Sequence, residues 1–319
     1  MGTGPHVTVI AGGVGAARLL RGVIRATDPG RVTAVVNVGD DEILHGLHIS
    51  PDLDTITYTL AEEIDPTRGW GLRDETWKAM ESLRRYAESA GREDLSWFNL
   101  GDRDLGTHLY RTSRRLEGGA LSDITAEIAA AWGIRARLLP VSDDPIRTRL
   151  VAVDGAELTF QEYFVRHHHG IEVRDVSFVG AAVAEPAPGV IDAIGAADVV
   201  IIAPSNPIVS IEPVLAVPGV RAAVESRRDK CVAVSPIVGG RALKGPADRL
   251  LTELGHEASA LGVAGIYRDL AASIVVDSVD APLAPAIEAA GLRAVCAPSI
   301  MVDVEAATTL AAACIEAIR

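Results

Sequence analysis

Asn37–Thr55, NVGDDEILHGLHISPDLDT, holds four aspartates (Asp40, Asp41, Asp52, Asp54) and two histidines (His45, His48) within nineteen residues. Hard oxygen ligands at this density suit Mg²⁺, which takes one or two carboxylates and completes its shell with water and substrate phosphate. A glycine turn, Gly12-Gly-Val-Gly15, lies one helix earlier, directly after an apolar run. Gly12, Gly13 and Gly15 would let backbone N–H groups approach a phosphate at a helix N-terminus. Together the two segments predict a cation that bridges protein carboxylates to a phosphate, with Asn37, Asp40, Asp41, Asp52 and Asp54 as the candidate residues around it.

Other residues join this core. Leu100–His108 (LGDRDLGTH) mixes Asp102, Arg103, Asp104, Thr107 and His108, and Arg103 could clamp a phosphate bidentately. Arg18, one turn into the first helix, is a second charge partner. Ser205, Asn206 and Pro207 follow one buried apolar run, and Ser235 follows the next. Two polar strand ends in succession read as a ligand rim. His45 and His48 read as loop residues, and His167–His169 lacks the flanking carboxylates or cysteines a metal site would need.

The elements that must position these groups follow from periodicity. His6–Ala11 and Val32–Val36 are continuous apolar runs, as in strands buried on both faces, and Ala16–Ala26 carries a helical apolar stripe. Strand, turn, helix, strand is a βαβ unit with parallel strands. Helices are expected over Pro51–Glu63, with Ser50 as N-cap and Pro51 at the first position, and over Asp74–Ser89, Leu105–Glu117 and Ser122–Trp132, the last capped by Ser122. In a helix Asp52 and Asp54 do not share a face, so they would do different work. Three of the four tryptophans (Trp70, Trp77, Trp97) lie between residues 70 and 97, and residues 62–133 read as a helical insertion or lid. A strand is expected over Arg135–Val141, and residues 147–178 alternate as strands departing from the main sheet. Strands resume at Val199–Ala203, Cys231–Ser235, Ile274–Val276 and Ala294–Ala297. The whole, residues 1–319, reads as one α/β domain with a doubly wound, mostly parallel Rossmann-like sheet and a helical insertion.

Bulk properties narrow the function. A net charge of −13 argues against a nucleic-acid surface. No apolar run approaches the length of a membrane span, and no signal peptide is read at the N-terminus. Cys231, Cys296 and Cys314 are far apart in apolar contexts, as expected of buried free thiols in a reducing cytoplasm. The absent third glycine disfavours a nicotinamide site, and no lysine stands near the turn to make a Walker loop. Only Lys78, Lys230 and Lys244 are lysines, so a cation with Arg18 or Arg103 must balance any diphosphate.

The runs AGGVGAARLLRG, VVNVGDD, HISPDLDT, DPTRGWGLRDETW, LGDRDLGTH, LLPVSDDP, APSNPIVSI and VSPIVGG, in this order, resemble the CofD/FbiA family along nearly the whole chain. That family comprises the 2-phospho-L-lactate transferases of coenzyme F-420 biosynthesis, and its actinobacterial branch looks most similar. The resemblance implies a Mg²⁺-dependent transferase, usually a homodimer. It would move a 2-phospholactyl or phosphoenolpyruvyl group from a guanosine-diphosphate adduct to the terminal ribityl hydroxyl of the deazaflavin Fo, releasing GMP. It places Asp40 and Asp52 among the metal or acceptor-site acids, Gly12–Gly15 in the nucleotide loop and Ser205–Pro207 in the pocket turn. Asp54 or Asp41 would then orient or deprotonate the hydroxyl. Ala16 departs from the pattern, where a second glycine is common. The rival reading is a non-enzymatic nucleotide-sugar-binding regulator of the wider superfamily, against which the PDLDT run and the tryptophan-rich segment weigh.

Overall fold

The computed structural model describes residues 4–318; residues 1–3 and 319, the ends of the expected 1–319 span, lie outside it. A seven-stranded parallel sheet forms the centre. Its strands are β1 (Val7–Ala11), β2 (Val32–Val36), β5 (Arg137–Pro140), β9 (Val199–Ile202), β10 (Cys231–Val234), β13 (Ser273–Val276) and β14 (Arg293–Cys296), in the order β14-β13-β10-β9-β1-β2-β5. Every pairing is parallel. Four of these strands (β1, β9, β10, β13) are buried at every residue, which is why they read as near-continuous apolar runs rich in Val and Ile rather than alternating ones. This is the α/β Rossmann-like arrangement expected.

Three small sheets are appended. β3 (Glu42–Leu44) and β4 (Leu47–Ile49) form a hairpin, as do β11 (Ile237–Val238) and β12 (Arg241–Ala242). β6 (Arg147–Ala152), β7 (Glu157–Thr159) and β8 (Val173–Val179) form an antiparallel sheet separate from the main one, as the alternation over 147–178 predicts.

The helices are α1 (Gly13–Ala26), α2 (Pro51–Leu60), α3 (Lys78–Ala90), α4 (Asp104–Leu116), α5 (Leu121–Ala131), α6 (Val190–Ala196), α7 (Glu212–Leu215), α8 (Val220–Glu225), α9 (Ala247–Glu253), α10 (Ala260–Tyr267), α11 (Ala284–Ala289) and α12 (Val304–Glu316). α1 packs against α2 and α12. Its apolar stripe, including Leu19, Leu20 and Val23, is fully buried, and each such side chain contributes about 1.5–3 kcal/mol. α3 buries only Met80 and Ala87 and stops at Gly91, whose φ of 64° supplies the left-handed cap.

Three expectations are corrected. α1 begins at Gly13 rather than Ala16, so most of the glycine turn is already the first helical turn. Ser122 is not an N-cap but lies inside α5, where Asp143 accepts from both its N–H (2.6 Å) and its hydroxyl (2.9 Å) and so caps the helix from the loop after β5. Cys231 and Cys314 are buried free thiols, but Cys296 is exposed, because β14 is an edge strand.

The chain leaves β1 toward β2 and β5 on one side and returns through β9, β10, β13 and β14 on the other. The crevice between the carboxyl ends of β1 and β9 is therefore the topological switch point, where open α/β sheets bind ligands.

Candidate active site at the switch point

The glycine turn occupies that crevice. Gly13 has φ +71°, which glycine adopts without strain. A Cβ at Gly12 would lie 2.8 Å from the Ser210 carbonyl oxygen and 3.0 Å from Asp52 Oδ2, so only glycine fits between the returning chain and α2. A Cβ at Gly15 would collide with the Pro204 carbonyl oxygen. Gly15 is thus required by packing against the segment after β9. Ser205 locks this arrangement by donating its hydroxyl to the Gly12 carbonyl at 2.5 Å.

The acids come from two elements. Asn37–Asp41 follows β2, and Pro51 starts α2, which carries Asp52 and Asp54 in its first turn. Asn37, fully buried, joins them: its Oδ1 accepts from the Gly39 N–H (2.7 Å) and its Nδ2 donates to Asp52 Oδ2 (2.9 Å). Asp40 and Asp52 are both buried. Burial, and then the neighbouring charges of Asp52 and Asp41, push the Asp40 carboxyl well above the usual carboxylate range. Burial raises Asp52 to about 6, partly offset by the Asn37 amide and the Gly13 N–H. Asp40 Oδ1 has no hydrogen-bond partner. Two like-charged carboxylates, one with an orphaned oxygen, packed at the N-terminus of α1 with no cationic side chain paired to either among the described residues, form a set that a divalent cation would complete.

Asp41 is less buried than these two acids. Its Oδ2 accepts from the Ser50 hydroxyl (2.7 Å), its Oδ1 is unpartnered, and burial raises it to about 7. Ser50 therefore sits at the N-cap position of α2 but uses its hydroxyl on Asp41 rather than on the helix.

Asp54 faces the other way, as the helical spacing requires. Both of its oxygens are taken by the Arg111 guanidinium, with Nη1 at 3.2 Å from Oδ2 and a shorter Nη2–Oδ1 contact. His108 Nδ1 lies 3.7 Å from Asp54, and its Nε2 lies 3.3 Å from Asp104, which also accepts from the Tyr58 hydroxyl (2.5 Å). Asp54, Asp104 and His108 each offer a ligand atom within 4.8 Å of the others, a donor set that suits a divalent cation by type. The guanidinium of Arg111 already supplies the positive charge there.

The remaining expected residues divide. Arg103 is not free in the crevice: it donates to Glu63 (3.0 Å) and to the Arg73 carbonyl (2.6 Å), binding α4 to the loop before α3. Asp102 accepts from the N–H groups of Lys78 (3.0 Å) and Ala79 (3.1 Å) and so caps α3. Asn206 accepts from Ile208 N–H (2.9 Å) at the head of a π-turn over Pro207–Ile211, leaving its Nδ2 unpartnered. Ser235 is closed on Ile237, donating to its oxygen and accepting from its nitrogen. His45 bonds the Phe98 carbonyl (3.2 Å), and His48 bonds Thr112 through its N–H, so both tie the β3–β4 hairpin to neighbouring segments.

Sequence reading missed Arg111, although Asp104, His108 and Arg111 stand at helical spacing on one face. It also missed Lys244. This lysine, carried just beyond β12, places Nζ 3.0 Å from where a Gly69 Cβ would be, beside Val14 of α1. Burial and the charge of Arg18 lower its pKa. Lys244 thus brings a positive charge near Gly69 and Arg18 from the segment after β12. In the loop before α3, the Arg68 guanidinium stands over both Trp70 and Trp77, 5.4 Å from each ring centroid, with the two rings edge-on at 6.3 Å and Trp70 exposed.

Comparison with known proteins settles the lineage. Residues 7–311 match the family described as 2-phospho-L-lactate transferase CofD. The chain belongs to the CofD family. A phosphoenolpyruvate transferase of Streptomyces griseus is 43% identical over 315 residues, covering 98% of each chain. That of Nocardia farcinica is 41% identical over 307 residues, covering 94% of this chain and 91% of its own. That of Mycolicibacterium smegmatis is 40% identical over 318 residues, covering 95% and 96%. Among solved structures, a UPF0052 family protein from Bacillus halodurans superposes with a TM-score of 0.62 over 99% of both chains at 18% identity, a likeness of fold. The family match spans the glycine turn, the Asn37–Asp54 acids and the Ser205–Pro207 turn alike. Among the described residues no helix is long and apolar enough to cross a membrane.

Proposed function

We propose that this CofD-family chain transfers a phosphoenolpyruvyl or 2-phospholactyl group from a guanosine-diphosphate-linked three-carbon acid to the terminal ribityl hydroxyl of Fo, giving (dehydro-)coenzyme F-420-0 and GMP. The observation that carries the reading is the meeting of Asp40, Asp52 and the glycine turn at the switch point, in a chain that matches phosphoenolpyruvate transferases over nearly its full length. The hydroxyl oxygen bonds the phosphorus that bears the three-carbon acid. The P–O bond to GMP breaks, and GMP leaves with the bonding electrons. The hydroxyl proton passes to a carboxylate.

Such transfers need positioning and charge neutralisation more than covalent chemistry. Asp40 and Asp52 would hold Mg²⁺, which when bound neutralises the diphosphate and the leaving phosphate. The Gly13 N–H region and Ser205–Pro207 shape the nucleotide side, and Lys244 with Arg18 adds positive charge at the mouth. Asp41 is the better candidate to receive the proton, since its Oδ1 is unpartnered while both oxygens of Asp54 are held by Arg111. Arg103, paired with Glu63, supports the insertion rather than the phosphate. Trp70, presented by Arg68 and Trp77, offers a flat surface for the deazaflavin ring.

Incubation with Fo, donor and Mg²⁺ should release GMP in step with the phosphorylated product. Mass spectrometry with competing donors identifies the acid, because the enolpyruvyl and lactyl products differ by two hydrogens. No GMP release with either donor would overturn the reading. The assembly expected of the family is a homodimer in the cytoplasm, which light scattering on the purified protein would read as twice the chain mass.

A further inference from the structure

The turn that carries Asp40 is gripped from outside the main sheet. Thr148, in β6, donates its N–H to the Gly39 carbonyl at 2.7 Å. Gln161 donates Nε2 to the Asp40 carbonyl oxygen at 3.0 Å across 121 residues. Thr148 and Gln161 are both buried. Thr148 Oγ1 has no hydrogen-bond partner and faces the same turn: a Cβ at Gly39 would lie 2.7 Å from it.

Gln161 immediately precedes a π-turn, Glu162–Arg166. The second π-turn, Pro207–Ile211, crowds the glycine turn through Ser210. Tyr163 of the first and Val209 of the second belong to one buried apolar cluster with Leu150, Val173 and Leu250. Such single π-turns are rare and recur at functional sites. Here one reaches the carboxylate turn and the other the glycine turn, and their side chains share a core.

We propose that Gln161 and Thr148 are positioning residues, through which the three-stranded sheet aims the Asp40 carboxylate at a cation shared with Asp52. The inference rests on the cation reading given above. Gln161 fixes the peptide carbonyl of Asp40 through its side chain, while Thr148 fixes the preceding carbonyl through its backbone N–H and turns its hydroxyl toward the Gly39–Asp40 turn, where it favours the charged Asp40 carboxylate; the variants below test that hydroxyl. Outer groups that orient a metal-binding carboxylate typically change metal affinity by about 10–100-fold.

The test uses Mn²⁺ binding, followed by electron paramagnetic resonance, on the whole chain with Gln161→Met, Thr148→Val and Thr148→Ser. The half-saturating Mn²⁺ should rise roughly tenfold in the first two and return to the wild-type value in Thr148→Ser. Turnover at saturating cation should stay within about twofold, because only the cation equilibrium is weakened. GDP binding in the presence of a chelator should not change. Unchanged Mn²⁺ affinity in both Gln161→Met and Thr148→Val overturns the inference while leaving the cation reading intact. A fall in turnover that saturating cation does not restore, with GDP binding lost in parallel, marks a merely structural role and also overturns it. Failure of wild-type protein itself to bind Mn²⁺ overturns the cation reading and this inference together.

Discussion

Helix α2 carries two acid clusters within one turn, and they are built on opposite plans. On one side Asp52 meets Asp40 with no cationic side chain between them, and an oxygen of Asp40 is left without a partner. On the other side Asp54 meets Arg111, His108, Asp104 and Tyr58, so that its charge is matched inside the fold. The second cluster ties α2 to α4 with the chain's own cation. We propose that the first is completed by a cation from outside. On that reading the same residue type two positions apart serves binding in one case and assembly in the other, and the difference lies in which partners the tertiary structure delivers.

That contrast can be broken first at Arg111. Arg111→Met leaves Asp54 and its neighbours buried without their counter-charge, and should cost roughly 3–5 kcal/mol of stability in denaturant unfolding. Asp54→Leu combined with Arg111→Met should recover most of the loss, since replacing both partners of a buried pair by apolar groups is often close to neutral. An equal loss in the single and the double variant would show that the pair itself does not hold α2 to α4. On the other cluster the expectation is inverted. Asp40→Asn or Asp52→Asn should lower turnover by more than about 100-fold, while the melting temperature holds or rises because like-charge repulsion is relieved.

The clusters should also answer pH in opposite senses when cations are chelated. Burial raises Asp52 to about 6, so the folded state holds that proton more tightly than the unfolded chain does. Its stabilising contribution is full below about pH 4 and is lost as pH rises through 6. Burial alone would raise Asp104 too, but hydrogen bonding and charge from His108, with the Tyr58 hydroxyl and Arg111, outweigh it and hold the group below its usual value. That contribution is present above the unfolded pKa and is lost only as pH falls through the lower folded value. The chelated wild type should therefore begin to lose thermal stability above about pH 4, and Asp52→Asn should reduce the slope between pH 4 and 6, leaving the part due to Asp40 and Asp41. A slope undiminished in Asp52→Asn assigns it to other groups. The smallest effect is expected at Asp102→Ala, which removes the cap on α3 and should cost about 1 kcal/mol with turnover little changed.

How much of this was legible in the sequence follows the same division. The β1–turn–α1–β2 unit, the start of α2 at Pro51 and the opposed directions of Asp52 and Asp54 all follow from local periodicity and spacing. Asp40, Asp52 and the glycine turn meet because a parallel sheet brings successive strand ends together, which the βαβ pattern already implies. Partners that arrive across long stretches of chain carry no local signal. Gln161 reaches Asp40 from the turn after β7, Lys244 comes near Gly69 and the charge of Arg18 from beyond β12, and Asp143 caps α5 in place of Ser122. Arg103 was misjudged for the same reason: an arginine amid acids suggests a phosphate clamp, and only the fold shows Glu63 already holding it. Arg111 was within reach, since its spacing from Asp104 and His108 marks a charged helix face.

The central claim is that α2 presents one cluster to an external cation and closes the other with Arg111. Counting Mn²⁺ bound per chain in wild type, Asp52→Asn and Asp54→Asn decides it directly. The account predicts one ion in wild type, none in Asp52→Asn, and one in Asp54→Asn. Loss of the ion in Asp54→Asn with retention in Asp52→Asn would place the cation among Asp54, Asp104 and His108 and contradict the account.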